Sequence, residues 1–253
     1  MPTDPTDPTM TLFSLAGRAA IVTGASRGLG WTLADALARA GASVMALARS
    51  ATPDFLLPNN VTYKPCDVLD VSTLEQCRDD LLSRTGRLDI LINAAGISTT
   101  GLSLDDFDET IAVNLKGSYL CMHAVIPVMT AARRGSIINV TSLAAHRGFP
   151  GNPGYVAAKG GLRQLTRALA IDLGSDNVRV NNIVPGYFET EMTKSSFSDP
   201  RERERREKHT MLGRWGQPSD LIGAAIFLAS DASAYVTGQD IVVDGGWLAK
   251  GLI

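Results

Sequence analysis

The sequence is poor in cysteine, carries almost no net charge and shows no obvious membrane span, and each shortage excludes something. The three cysteines, Cys66, Cys77 and Cys121, are scattered. They have neither metal-ligand spacing nor the even count of a disulfide framework, so no metal site is expected and a reducing, cytoplasmic setting is. The 24 Lys and Arg against 26 Asp and Glu leave a formal net charge of −2. That removes the electrostatic case for nucleic acid or an anionic membrane as a partner. No apolar run reads as long enough to cross a bilayer. No basic segment followed by an apolar one opens the chain, so no signal peptide is expected. What is present is an ordinary globular composition of 253 residues, 45% hydrophobic and 20% charged. It suits one α/β domain with a sizeable core.

Residues 1–11 repeat a Pro-Thr-Asp pattern, too polar and proline-rich to bury a core, and predict a disordered tail. Residues 12–253 are expected to form a single domain. Its first strand is the continuous apolar run Ala19, Ala20, Ile21, Val22, Thr23, which reads as buried on both faces. Gly24, Ala25, Ser26, Arg27, Gly28, Leu29 and Gly30 follow, and then a helical pattern over 31–40. A strand, a glycine turn and a helix start in that order form an anion site, because helix N-terminal N–H groups face the ligand and glycines admit a pyrophosphate. The plainer alternative is a tight turn with packing glycines. A second strand over 43–48 leads to Arg49. Folds that take NAD usually place a carboxylate here for the ribose 2′-hydroxyl. Arg49, with Arg27 in the turn, suits a 2′-phosphate better, so NADP(H) is expected ahead of NAD(H).

Pro53 and Pro58 argue against a crossover helix over 50–60. Strands predicted at 61–66, 88–92, 135–140, 179–184 and 240–243 alternate with helical patterns. These include 72–84, with a Ser72/Glu75 capping box, and a long stretch over 104–132 bent by Pro127. The alternation predicts an α/β, Rossmann-type fold: a doubly wound parallel sheet of about seven strands with helices on both faces. Ligands in such folds sit at the carboxyl ends of the strands. The 24–30 turn, Asn93, Ser142 and Pro185-Gly186 all fall at such ends. The mixed-sign run over 201–208 reads as a solvated helix within a lid near 187–212.

Tyr155 and Lys159 stand four apart at the head of an Ala/Leu-rich helix, so they share a face. A cation beside a tyrosine lowers its pKa from about 10 and makes the hydroxyl usable for proton transfer near neutral pH. A surface Tyr and Lys would have the same spacing. Asn114, inside an apolar helical stripe, must be hydrogen-bonded.

Together, residues 23–30, Asn93-Ala94-Ala95-Gly96, Asn114, Ser142, Tyr155 with Lys159, and Pro185-Gly186 with Thr190 resemble the short-chain dehydrogenase/reductase family in order and spacing. The resemblance covers about 12–247. It implies Tyr155 as general acid/base, Lys159 as the group that lowers its pKa and holds the nicotinamide ribose, and Ser142 on the substrate oxygen. It further implies Asn114 positioning a water in a proton relay. Gly24, Ser26, Arg27, Gly28, Leu29 and Gly30 would line the pyrophosphate and adenine ribose. Asp67 and Val68 would flank the adenine, and Asn93, Ala94 and Gly96 the adjoining ribose. Pro185, Gly186, Phe188 and Thr190 would meet the nicotinamide.

Segments 185–194, 213–216 and 243–249 are similar to the gluconate 5-dehydrogenase and ketodeoxygluconate dehydrogenase branch. That similarity implies a small-molecule substrate such as gluconate or 5-ketogluconate, met by His146, Arg147, Asn152, Tyr187 and Met192 besides Ser142 and Tyr155. The Gly-Ala-Ser-Arg-Gly turn equally resembles 3-oxoacyl-(acyl-carrier-protein) reductases, the alternative reading. A non-catalytic Rossmann binding module is disfavoured, since such proteins lose the tyrosine or the lysine. Family members are commonly tetramers, which implies a homotetramer or homodimer through the helix ending near Met129 and the segment 239–248.

Overall fold

Where the sequence runs apolar for a few residues between turn formers, the chain extends. Where apolar residues recur every third or fourth place, it coils. The computed structural model describes residues 11–53 and 56–251. Its strands are β1 (Ala19–Thr23), β2 (Ser43–Ala48), β3 (Val61–Pro65), β4 (Ile90–Asn93), β5 (Gly135–Val140), β6 (Val178–Pro185) and β7 (Asp240–Val243). Its α-helices include α1 (Gly28–Arg39), α2 (Val71–Thr85), α3 (Leu104–Ile111), α4 (Ser118–Ala131), α5 (Pro153–Gly174), α6 (Lys194–Ser198), α7 (Pro200–His209) and α8 (Ile222–Ala229). The strands form one parallel sheet in the order β3-β2-β1-β4-β5-β6-β7. This is the predicted doubly wound architecture, and each strand bound lies within two residues of its expected place.

β1, β4 and β5 are buried along their whole length, as expected of a parallel sheet covered on both faces. One apolar core lies under α2, α4 and α5, around Leu74, Met122 and Leu162. The other lies under α1 and α8, around Leu33, Leu37 and Leu228. Chain connections diverge between β1 and β4, which opens a crevice above their carboxyl ends.

Three local expectations change. α2 is capped by Asp70, not Ser72: the Asp70 carboxylate accepts from the Thr73 N–H and from the Ser72 and Thr73 hydroxyls. Thr73 first and then Ser72 hold that carboxyl down to about 2. The long helical stretch is not continuous α-helix, because a π-helical turn, Ala112–Gly117, separates α3 from α4 and contains Asn114. Pro127 lies inside α4 without ending it. By length and mean hydropathy, 1.2, the stretch Leu104–Ala131 would suffice to cross a membrane, contrary to the sequence reading. Its residues Cys121, Met122, Val125 and Met129 are spent on the core. Among the described residues no helix bridges β2 and β3, in line with Pro53 and Pro58. The predicted tail lies outside the described residues except for Thr11, which already belongs to a helical turn.

One buried carboxylate joins three segments at the other end of the sheet. Asp89, with its side chain 1% exposed, accepts from the Ala19 N–H at 2.9 Å, from Arg87 at 2.6 and 2.9 Å, and from Arg134 at 2.6 Å. Burial pushes this carboxyl up, but Arg87, the Ala19 N–H and Arg134 outweigh it and hold it below the usual range. Asp89→Asn keeps the shape and removes the charge. It is expected to lower the unfolding free energy by about 1–3 kcal/mol, read as a lower denaturant midpoint at unchanged slope.

Candidate active site

The carboxyl ends of β1, β4, β5 and β6 converge on one crevice, and the sequence builds it from both sides. On the nucleotide side Gly24 has φ of 68° and sits so close to the β4 loop that a Cβ there would lie 2.6 Å from the Ala95 backbone. Gly30 packs under the Gly24 carbonyl. At Gly28, φ 55°, a Cβ would meet nothing nearer than Thr190 at 3.9 Å. The space above Gly28 is therefore open, and it faces Thr190 from beyond β6. α1 begins at that point with no side-chain cap at Arg27 and no acid in its first turn. Unpaired N–H groups, a positive dipole end and open space fit a pyrophosphate. Ser26 and Leu29 border the turn half-buried, while Arg27 and Arg49 are exposed. Neither arginine's side chain has an ion pair or hydrogen bond among the described residues.

On the chemical side Asn152 caps α5 by accepting from the Tyr155 N–H at 3.2 Å, and it donates to Ser98 Oγ at 2.7 Å. This ties the helix to the β4 loop. Tyr155 then stands in the first turn, and Lys159 lies one turn deeper, 5% exposed. The Lys159 ammonium donates to the Val140 carbonyl at 2.8 Å and lies 5.7 Å from the centre of the Tyr155 ring. Burial pulls it down to about 8. Burial raises the Tyr155 hydroxyl above its usual value, and a hydrogen bond with Ser142 acts to lower it. The net direction is upward, because burial outweighs the Ser142 hydrogen bond. Ser142 Oγ accepts the Ala144 N–H at 3.2 Å, which leaves its proton to donate outward.

Asn114 is fully buried and clasps Ile97, accepting from its N–H and donating to its carbonyl, both at 2.8 Å. A Cβ at Gly96 would lie 3.0 Å from Asn114 Oδ1 and 3.7 Å from Lys159 Nζ. Gly96 therefore admits both groups to the same corner.

Other predicted residues face elsewhere. Asn93 turns its side chain into the sheet, donating to Asn139 and to the Ser118 carbonyl. Val68 is buried against Gly117 and Phe188 against Gly216. Asp67 accepts the Leu69 N–H. Ala94 donates its N–H to Thr23 Oγ1. Gly186 pairs with the Val243 carbonyl next to Pro185. The Thr190 N–H bonds Thr193, a residue the sequence reading missed, whose hydroxyl also donates to the Phe188 carbonyl. On the substrate side His146 turns away, its Nε2 3.7 Å from Asp240. Asn152 is occupied as the cap. Arg147 and Met192 are exposed.

Tyr187 joins an aromatic group the sequence did not reveal. Its ring centre is 5.5 Å from Trp215 and 5.8 Å from Trp247, with Arg206 over its face at 4.6 Å. Trp247 also meets Phe149 at 5.8 Å and His209 at 4.7 Å. Hollows of about 360 and about 140 Å³ flank Trp215 and Tyr187, and neither is lined by Tyr155 or Ser142.

A doubly wound sheet with half-buried Tyr155 and Ser142 beside a buried Lys159 at its carboxyl ends, opposite a glycine-turn anion site, defines the class: an oxidoreductase of the Rossmann type. A family profile described as Enoyl-(Acyl carrier protein) reductase matches residues 24–248. The chain belongs to the short-chain dehydrogenase/reductase family. It is similar to gluconate 5-dehydrogenase of Gluconobacter oxydans, 38% identical across 93% of this chain and 96% of the relative. It is similar also to a 3-oxoacyl-(acyl-carrier-protein) reductase of Thermotoga maritima, 35% identical across 92% and 98%. Among solved structures, a gluconate 5-dehydrogenase from Burkholderia cenocepacia in complex with NADP and tartrate matches with a TM-score of 0.91. That pair is 36% identical, with 95% of this chain and 99% of that one covered.

Lys159 sets a test of the site's electrostatics. Its folded pKa of about 8 lies below the ordinary 10.5, so unfolding takes up a proton between those values and stability rises with pH across that window. Below pH 8 the whole burden, about 3 kcal/mol, is present. Lys159→Met is expected to be no less stable than wild type at pH 7. Any advantage should shrink as pH climbs from 8 toward 10.5, measured by denaturant midpoint, while turnover is lost.

Proposed function

We propose that the protein interconverts a secondary alcohol and a ketone with NADP(H), with NAD(H) the poorer cofactor, and that its substrate is a sugar acid of the gluconate/5-ketogluconate kind. The observation that carries the reading is Tyr155 one helical turn from the buried Lys159, whose ammonium lies 5.7 Å from the centre of the Tyr155 ring, beside the strand end that carries Ser142. A bound nicotinamide supplies or accepts the hydride. The chain's own residues do the rest. Ser142 donates to the substrate oxygen and orients it. Tyr155, whose hydroxyl burial holds above its ordinary pKa, gives its proton to the developing alkoxide, and in oxidation it takes the proton back. Lys159 stabilises the phenolate that forms. The water-positioning role of Asn114 belongs to this proposal, as do the lid role of 187–212 and the placing of Ala94, Gly96, Gly186 and Thr190 around the cofactor.

Open space at Gly28 and the uncapped start of α1 support the nucleotide, and exposed Arg27 and Arg49, with no carboxylate paired to either among the described residues, support the 2′-phosphate. The relative crystallised with NADP and tartrate is itself a gluconate 5-dehydrogenase, which favours a hydroxy acid. The second reading, a 3-oxoacyl-carrier-protein reductase, rests on the Thermotoga relative. A homotetramer or homodimer is part of the proposal. Its helical face would use Leu104, Tyr119 and Ile171, which are exposed, and not Met129, which is fully buried.

Cofactor absorbance with 5-ketogluconate or with a 3-oxoacyl thioester decides between the readings. Faster turnover of the sugar acid is expected, and preference for the thioester overturns the substrate assignment. Tyr155→Phe should lose turnover by about a thousandfold or more while cofactor still binds, since it removes the group that moves the proton. Arg49→Ala should raise the KM for NADPH by about tenfold and leave that for NADH nearly unchanged. Equal loss for both cofactors would refute the 2′-phosphate contact.

A further inference from the structure

The parallel register brings Thr23, Asn93, Asn139, Asn182 and Asp240 side by side, one from each of β1, β4, β5, β6 and β7, in a single row across the sheet. The row lies one residue below Val140, whose carbonyl holds Lys159. Asn139, Asn182 and Thr166 are fully buried, and Asn93 is 2% exposed. Hydrogen bonds run along it in one sense. Asn93 donates to Asn139 at 2.9 Å, and Asn139 donates to Thr166 Oγ1 at 2.8 Å. Thr166 then donates to Asn182 at 2.6 Å, and Asn182 donates to Asp240 at 2.7 Å. The far end is anchored by Arg163 and Arg167 on Asp240, at 2.6 and 3.3 Å. At the near end Asn93 also reaches the Ser118 carbonyl, and Ser118 Oγ bonds the Asn114 carbonyl in the π-turn.

Such a row is hard to explain as stabilisation. Apolar side chains would fill the same place without desolvating five polar groups, and even here Asn93 Oδ1 is left without a partner. What hydrogen bonds add over apolar packing is direction. A chain in which each donor is itself polarised by the next strengthens that direction.

Thr166 is the member that does not come from the sheet. It belongs to α5, on the buried stripe with Lys159, Leu162, Ala170 and Leu173. The apolar members of that stripe tolerate a small slide or roll. Thr166, inserted between Asn139 and Asn182, does not. A displacement of one residue along a helix is about 1.5 Å, enough to pull Tyr155 out of reach of Ser142.

We infer that Thr166 is a positioning residue of the reaction: by locking α5 into the buried amide row, its hydroxyl sets the height of Tyr155 and Lys159 over β5. The inference rests on the proposed role of Tyr155 and is independent of the sugar-acid assignment.

The test compares Thr166→Val, isosteric but without the hydroxyl, with Thr166→Ser, which restores it. Turnover is measured per cofactor-binding site with any ketone the wild type reduces, alongside KM, cofactor Kd and the primary isotope effect from cofactor deuterated at the transferred position. Expected for Val is a fall in kcat of about tenfold or more, cofactor Kd within about threefold of wild type, and a larger isotope effect, with Ser recovering most of the rate. If Val keeps the wild-type kcat per site and isotope effect and loses only thermal stability, or if Ser is as slow as Val, the inference is overturned. Should Val fail to fold, Thr166→Ala, which leaves room for a bridging water, is read by the same criteria. A wild type that ignores 5-ketogluconate but reduces another ketone removes the sugar-acid reading alone.

Discussion

Lys159 is a cation buried with no carboxylate paired to it among the described residues, and much of the crevice is arranged around that constraint. Its ammonium has the Val140 carbonyl, the face of the Tyr155 ring and a corner opened by Gly96. A lone charge in so dry a place is tolerated only where its surroundings cannot relax away from it. Here they cannot. α5 runs 22 residues along the sheet, its N-terminus is capped by Asn152 and its middle is bonded into the strands. The same rigidity holds Tyr155 against Ser142. Burial that keeps the tyrosine protonated and burial that weakens the hold of the ammonium on its proton are one environment acting on two groups of opposite charge type.

What the sequence made legible was whatever is encoded locally. Strand, glycine turn and helix succeed one another within twenty residues, so the anion site followed from chain order, and the continuous apolar strands gave the parallel sheet. Tyr155 and Lys159 stood out as a pair because a four-residue helical spacing is short-range information, while their roles and that of Ser142 were implied by the family resemblance. Side-chain direction was less secure. Val68, Asn93 and Phe188 were read as cofactor neighbours, and their side chains point into the core. A residue at a strand end or in a loop lacks the alternation that assigns a face. Ser72 was read as the cap because both it and Asp70 satisfy the composition of a helix start, and only Asp70 has the extended backbone a cap requires.

The row under the crevice was illegible for a different reason. Thr23, Asn93, Asn139, Thr166, Asn182 and Asp240 come from six separate segments, and each looks like an isolated polar residue in apolar surroundings. Only strand register makes them neighbours. The surroundings of His146 were hidden in the same way: it follows Ser142 closely in sequence, and the short 3-10 turn after Ser142 carries it toward β7 and Asp240.

The aromatic group on the other side of the crevice gathers Phe149, Tyr187, His209, Trp215 and Trp247 from the loop after Ser142, the segment after β6 and the end of the chain. Asp244 fixes that last segment through the N–H groups of Gly246 and Leu248, and Lys250 reaches the Lys208 carbonyl at the foot of α7. One wall of the crevice is therefore built from residues far apart along the chain. During synthesis the nucleotide turn and the first strands emerge early and can pair locally, whereas Phe149 must wait for Trp247, nearly a hundred residues later, before its wall closes. A chain that carried Phe149 without Trp247 would hold its sheet and nucleotide turn yet present an unfinished mouth.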